Sequence, residues 1–149
     1  MSMQTAAFPQ SPPTSDSRHW AAGMHLGALV LALLTSWMSG VAGALVAGVV
    51  YIARRDTDAF VAAHARDALN FHLSMCLYAC AIFVAAIVLL GATVLTLGIG
   101  AVLTLPAGLL LAAAAIGLAG VWLISSIVAA VRAWDGAHYA HPLTIRFFS

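Results

Sequence analysis

His72, Cys76 and Cys80 recur at i, i+4 and i+8, so a helix through them carries one imidazole and two thiols in a single stripe, with Met75 alongside. Imidazole nitrogen and thiolate sulfur are the ligand types of zinc and copper sites. One helix is a poor tetrahedral donor set, however, and cysteine in an apolar helix behaves as a small hydrophobe. The expectation is therefore no metal site, no cofactor and no disulfide between the two cysteines. The six histidines (His19, His25, His64, His72, His138 and His141) titrate near neutrality and so could sense pH. The plainer expectation seats them at a polar boundary as amphipathic rings. Asp67 is the most deeply embedded acid, next to Arg66 and with Arg54 or Arg55 as further partners. Ser125 and Ser126 have no base close in sequence, and such hydroxyls usually bond a backbone carbonyl. No catalytic residue is assigned, and no enzyme is expected.

The elements that carry these residues follow from charge. Ala68 to Val131 is a 64-residue stretch without Asp, Glu, Lys or Arg, and His19 to Ala53 is a second charge-free stretch. A spanning helix needs about 20 apolar residues to cross about 30 Å of hydrocarbon. The chain is 63% hydrophobic and 7% charged, against about 25% charged in an average soluble domain. Lipid is the expected solvent, and the fold class is all-α, an integral membrane four-helix bundle. Crossings are expected at residues 20–37, 38–53, 73–97 and 102–131, forming one unit over 18–149. The second is short, about 24 Å of helix, so the first two segments either cross tightly or form a hairpin that does not fully cross. Residues 1–17 contain Pro9, Pro12 and Pro13 among Ser, Thr and Gln with no Lys or Arg, and read as a disordered tail that is not a cleaved signal. Ser15, Asp16 or Ser17 would cap the first helix, and Trp20 and Trp37 would mark the two headgroup levels.

Residues 56–72 have a different pattern. On a helical wheel Phe60, Val61, Ala65, Ala68, Leu69 and Phe71 share one half, and Arg66, Asp67, Asn70 and Ser74 the other. That predicts an amphipathic interfacial helix between helices 2 and 3, bending or continuing into the third crossing. Gly98-Ile99-Gly100 is the expected turn before the fourth crossing, with Pro106 as an alternative early kink, and Gly136 is placed to end the last helix. Residues 136–149 then form a short cytoplasmic tail. Four crossings put all six arginines and all five aspartates on one face, which the positive-inside rule makes cytoplasmic, with both chain ends there. Gly23 and Gly27, with Gly40, Gly43 and Gly48, let helices approach closely; packing within one chain is expected, an oligomer interface being the alternative. With a net charge of +1 and no basic block, nucleic acid is not an expected partner.

Two stretches carry a family likeness. One is Arg54-Arg55-Asp56 through Phe60-Val61, His64 and Ala68-Leu69-Asn70-Phe71-His72; the other is Tyr139 through Pro142-Leu143-Thr144-Ile145-Arg146-Phe147. Together they resemble a family of small bacterial membrane proteins of unknown function. That family is grouped with the twenty-kilodalton subunit of the chloroplast inner-envelope import translocon. The resemblance, over about residues 20 to 148, implies four membrane helices, no established enzymatic activity and a distant link to protein translocation. The expected role is a non-enzymatic accessory or scaffold component of a complex in the bacterial inner membrane. The alternative is an oligomeric channel or carrier for a small solute or metal ion. Expected partners are the lipid bilayer and other membrane proteins or further copies of the chain. The residues expected to matter are His64, Asp67, Asn70, Tyr139, Pro142 and Arg146. Asn70 would bridge backbone groups between helices, and Arg146 would engage Asp67 or a lipid phosphate.

Overall fold

A computed structural model describes residues 12–35 and 39–148. Expectations for residues 1–11 and for Trp37 fall outside the described residues. Those described form four helices and no strand: α1 (Ser15–Thr35), α2 (Ser39–Arg54), α3 (Ala59–Leu95) and α4 (Ala101–Trp134). Each helix packs on the next around a ring, and α1 also touches α3 across it.

Local chemistry accounts for the helix ends. The Thr14 hydroxyl accepts the Ser17 backbone N–H at 3.1 Å, so Thr14, one residue before the expected candidates, caps α1. Asp58 caps α3, its carboxylate accepting the N–H groups of Phe60 and Val61 at 3.1 and 3.0 Å. The α3–α4 turn falls where the glycines predicted it, with Leu97 and Gly98 at positive φ; Pro106 lies inside α4. Gly136 ends α4 at φ 76°, where its missing Cβ avoids a left-handed clash. Gly136 N–H bonds Ala133 C=O and Ala137 N–H bonds Arg132 C=O, the paired bonds of a Schellman motif.

The amphipathic stretch is not a separate element. No proline interrupts residues 59–95, and the helix begun at Asp58 runs unbroken for 37 residues, about 55 Å. α4, with 34 residues, is about 51 Å long. These two helices are long and apolar enough to span a membrane. By comparison, the 21 residues of α1 and 16 of α2 extend about 32 and 24 Å.

The unequal lengths divide the molecule into two halves. The α1–α2 hairpin packs along the first half of α3 and the last half of α4, and its tip reaches the level of Cys76, Cys80, Leu118 and Trp122. Beyond that level the α3–α4 hairpin continues alone for about 20 Å. Between Cys76 and Ile124 no residue is buried, and none carries a charge. At its far end Thr93 and Thr104 hydroxyls join α3 to α4 at 2.6 Å. The packed half holds the core, in which 13 of the 18 buried apolar residues are alanine. Small side chains let helix axes approach closely where lipid gives apolar groups no reason to leave the surface.

Gly40, Gly43 and Gly48 serve this close approach, facing Cys76, His72 and Leu69 across the α2–α3 contact. Gly23 and Gly27 do not: nothing lies within 4 Å of a side chain placed on either. The expectation that this pair packs within the chain is overturned. It lies on the outer face of α1, away from the helices that α1 contacts.

Candidate functional site

The C-terminal segment gathers most of the molecule's polar chemistry. It does not project freely from the end of α4. After Gly136 it runs along α3 as far as Tyr78, about 29 Å of helix beyond Ala59, and reverses. The reversal has Leu143 at φ 57° and the Thr144 hydroxyl on the His141 carbonyl at 3.1 Å. Its return strand lies on a polar ladder made by Asn70, Ser74 and Tyr78, one residue per turn of α3. The Asn70 carboxamide oxygen accepts the N–H groups of Phe147 and Phe148 at 3.1 and 2.9 Å, and its nitrogen donates to the Phe148 carbonyl at 2.9 Å. The Ser74 hydroxyl donates to the Asn70 carbonyl at 2.7 Å and accepts the Ile145 N–H at 2.8 Å. The Tyr78 hydroxyl donates to the Leu143 carbonyl at 3.0 Å. Buried backbone groups without partners are costly, and these side chains supply the partners that an extended segment cannot find within itself.

The outgoing strand rests on a cluster of rings. Phe71, fully buried, stacks on His141 with centroids 4.5 Å apart. His141 also meets His25 of α1 at 5.7 Å and Tyr139 at 5.1 Å. His25 Nε2 and His64 Nδ1 share a proton-bearing contact of 3.3 Å. His138 stacks on His64 at 5.0 Å, with Phe60 against both. Deeper in the core, Trp122 Nε1 donates to His72 Nδ1 at 3.4 Å. His25, His64 and His72 are 2%, 3% and 2% exposed, so half of the histidines occupy the core, where a polar boundary was expected. Their placement follows from the helical faces: His64, Ala68 and Phe71 lie on the side of α3 that meets α1 and the tail. His64 Nε2 and His141 Nδ1 are buried without a hydrogen-bond partner among the described residues. Burial, reinforced by the neighbouring His72 and His64, pushes the His141 imidazole down to about 4.

The charged groups ring the end of the packed half where all four helices start or finish. Arg54 lies over the Trp20 ring, 4.1 Å from its centroid, and Arg55 pairs with Asp56 at 3.4 Å. Burial acts to raise the Asp58 carboxyl, but the Ser17 hydroxyl, the Val61 and Phe60 N–H groups and Arg54 together hold it below its ordinary value. Ser17 thereby ties the start of α1 to the start of α3.

Of the six residues singled out in the sequence, the structure brings His64, Asn70 and Tyr139 to the docked segment. Asn70 does bond backbone groups, but those of the non-helical tail and not, as expected, of a second helix. Asp67 does not meet Arg146: its ion-pair partner is Arg66 at 3.9 Å, both half-exposed. Arg146 and Pro142 are exposed, because Ile145 and Phe147, on either side of Arg146, turn their amides to α3 and leave the arginine side chain outside. Sequence reasoning passed over Tyr78, and it named His25, Ser74 and His141 without singling them out as site residues. The spacing of Asn70, Ser74 and Tyr78 at i, i+4 and i+8 was the available signal. The stripe of His72, Cys76 and Cys80 diverges: His72 is buried against α2, Cys76 is half-buried and Cys80 is exposed, both thiols being free. Among the described residues no group of three His, Cys, Asp or Glu is placed to hold a metal ion.

A protein-family model described as the magnetosome magnetite crystal formation protein family matches residues 16–148. No link to the chloroplast translocon subunit is shown. No curated protein and no solved structure matches the chain.

Proposed function

The chain belongs to the magnetosome magnetite crystal formation protein family, and from that premise we propose that it is a non-enzymatic accessory component of a complex in a bacterial membrane on which mineral crystals form. The observation that supports this reading most is the division into halves. An apolar hairpin without a single charge carries, at one end, a packed half ringed by every arginine and aspartate. Such a shape suits an anchor that presents a docking surface at one membrane face.

In this reading the hydrocarbon covers residues 75–95 of α3 and 101–122 of α4, each about 31–33 Å of helix, which matches the thickness of a bilayer core. Tyr78 and Trp122 then lie near the headgroup boundary, where such rings are favoured. Arg66, Asp67 and Arg146 stay outside the hydrocarbon, where charge is cheap. A slab centred on α1 and α2 instead would hold all three and push about 20 Å of bare apolar hairpin out of the far side. The α1–α2 hairpin therefore dips only its tip into the near edge of the hydrocarbon and does not cross. The positive-inside rule puts the arginine-rich end in the cytoplasm. A role in moving proteins across the membrane has only a sequence resemblance behind it, and shared fold does not transfer function.

Two measurements test the reading. Single cysteines replacing Arg18, Arg55 and Leu97, in a Cys76→Ala/Cys80→Ala background, are labelled with an impermeant maleimide in oriented vesicles. Arg18→Cys and Arg55→Cys should react from the cytoplasmic face and Leu97→Cys only from the other; three sites reacting from one face would overturn the placement. Deletion of the gene should change crystal size or number, and crosslinking in native membranes should capture a protein of the same membrane. Unchanged crystals would refute a part in crystal formation, and failure to capture any protein would refute the accessory role.

A further inference from the structure

We infer that the segment from Ala137 to Phe148 is a proton-released strap, held on α3 by the Asn70–Ser74–Tyr78 ladder while the imidazoles packed between it and the helices, His25, His64 and its own His141, are neutral, and expelled when they become charged. The geometry sets both parts of the device. The ladder holds the strap backbone through one carboxamide and two hydroxyls, with no imidazole or carboxylate among its rungs, so it does not by itself respond to pH near neutrality. The ring cluster can. Four imidazoles, His25 from α1, His64 from α3 and His138 and His141 from the strap, lie in a connected chain of contacts between 5.0 and 5.7 Å. His72 lies one helical position below, on the far side of Phe71.

Among the described residues no compensating anion faces the cluster. From α3, Asp67 points outward beside Arg66, and Asp58 is committed to its helix cap. From α1, His19 stacks on Trp134 and Arg18 lies against Gly136 at the end of the bundle. From α2, Arg54 covers Trp20 and Tyr51 packs among Met24, Ala65 and Ala68. From α4, Trp122 is the polar contact, and Arg132 and Asp135 are exposed at its end. The strap itself adds Tyr139 and the exposed Arg146. A first proton taken up by this group is held in a poorly solvated site without a counter-charge among the described residues, a second meets the first as like charge, and departure of the strap relieves both.

The size of the response follows from His141. Between an ordinary value of 6.5 when the strap is free and about 4 when it is docked, docking is fully favoured above pH 6.5 and weakens as pH falls toward 4. By proton linkage the docking equilibrium is about 30-fold weaker at pH 5 than at pH 7.5 from this residue alone. Release exposes Phe71, Asn70 and Ser74, all now at 1% exposure or less, as a fresh polar-edged surface on α3.

Hydrogen exchange of the full chain in phosphatidylcholine–phosphatidylglycerol nanodiscs tests this, with labelling times corrected for the intrinsic pH dependence of exchange. The Ile145, Phe147 and Phe148 amides should be protected at pH 7.5 and lose protection about 30-fold or more at pH 5, while α3 amides within residues 80–95 keep theirs. His141→Phe, which retains a ring on Phe71 but cannot titrate, should lose most of that response, and His25→Gln/His141→Phe more still. Equal protection at both pH values in the wild-type chain would overturn the inference, as would a pH response undiminished in the double variant. The wild-type titration decides the matter even where a variant does not fold.

Discussion

Replacing Gly43 by alanine sets one methyl against one imidazole. A Cβ on Gly43 would lie 2.7 Å from Cγ of His72 and closer still to its Nδ1 and Cε1, well inside van der Waals contact. The ring has nowhere to go: His72 is 2% exposed, flanked by Phe71 and hydrogen-bonded by Trp122. Either α2 and α3 separate or the imidazole leaves its partner. Overpacking of a tight core costs about 1–3 kcal/mol, and loss of the Trp122 bond about 1 more. Alanine's better helix propensity returns about 1 kcal/mol. The net expectation is a loss of about 1–3 kcal/mol, roughly 5- to 150-fold in the folding equilibrium. Gly23→Ala and Gly27→Ala are the controls, since each meets nothing within 4 Å and should be neutral or gain about 0.5–1 kcal/mol. Reversible unfolding in mixed micelles, followed by tryptophan fluorescence, measures all three. In a His72→Ala background the Gly43→Ala penalty should shrink by at least about 1 kcal/mol, the coupling of a double-mutant cycle. Gly43→Ala matching Gly23→Ala in stability would refute the claimed contact.

Three other outcomes are expected. Asn70→Ala removes three bonds to Phe147 and Phe148; at about 1 kcal/mol each the segment should become open to cleavage by a nonspecific endoprotease at neutral pH, and unchanged resistance would count against the ladder. Asp58→Ala should cost about 0.5–2 kcal/mol by loss of the α3 cap. Because the folded carboxyl sits below its ordinary 3.8, its contribution is present above that value and fades as pH falls through the lower folded one; the gap between wild type and variant should therefore narrow only in strong acid. Arg54→Gln should weaken the α1–α2 contact by about 0.5–1 kcal/mol through loss of the Trp20 stack, with Arg54→Lys retaining part of it.

Much of the architecture was legible because apolar length and helix punctuation are local properties. The α3–α4 turn at Gly98 and the α4 stop at Gly136 could both be read from neighbours in the chain. The apolar half of residues 56–72 was also correctly identified, since Val61, Ala65, Ala68 and Phe71 are buried. Its polar half misled. Periodicity says which face is polar but not what covers it, and Asn70 and Ser74 are covered by a segment more than 70 residues later. The histidines failed for a related reason: an imidazole suits a headgroup or a core equally well, and contact with His141 decides the matter. Asp67 and Arg146 are complementary charges, but the alternation of the docked strand turns the arginine outward.

The distance along the chain between Asn70 and Phe148 also has a consequence for synthesis. At about 5–20 residues per second, the ribosome needs several seconds to deliver the strap after the middle of α3 has emerged. During that interval the carboxamide and hydroxyl of α3 have no chain to bind and must be hydrated, so this part of the helix has to wait in contact with water. Maturation of the packed half is thus a late event, following synthesis of the α3–α4 hairpin. A chain stalled before residue 143 would present an unfinished surface that chaperones or proteases could recognise.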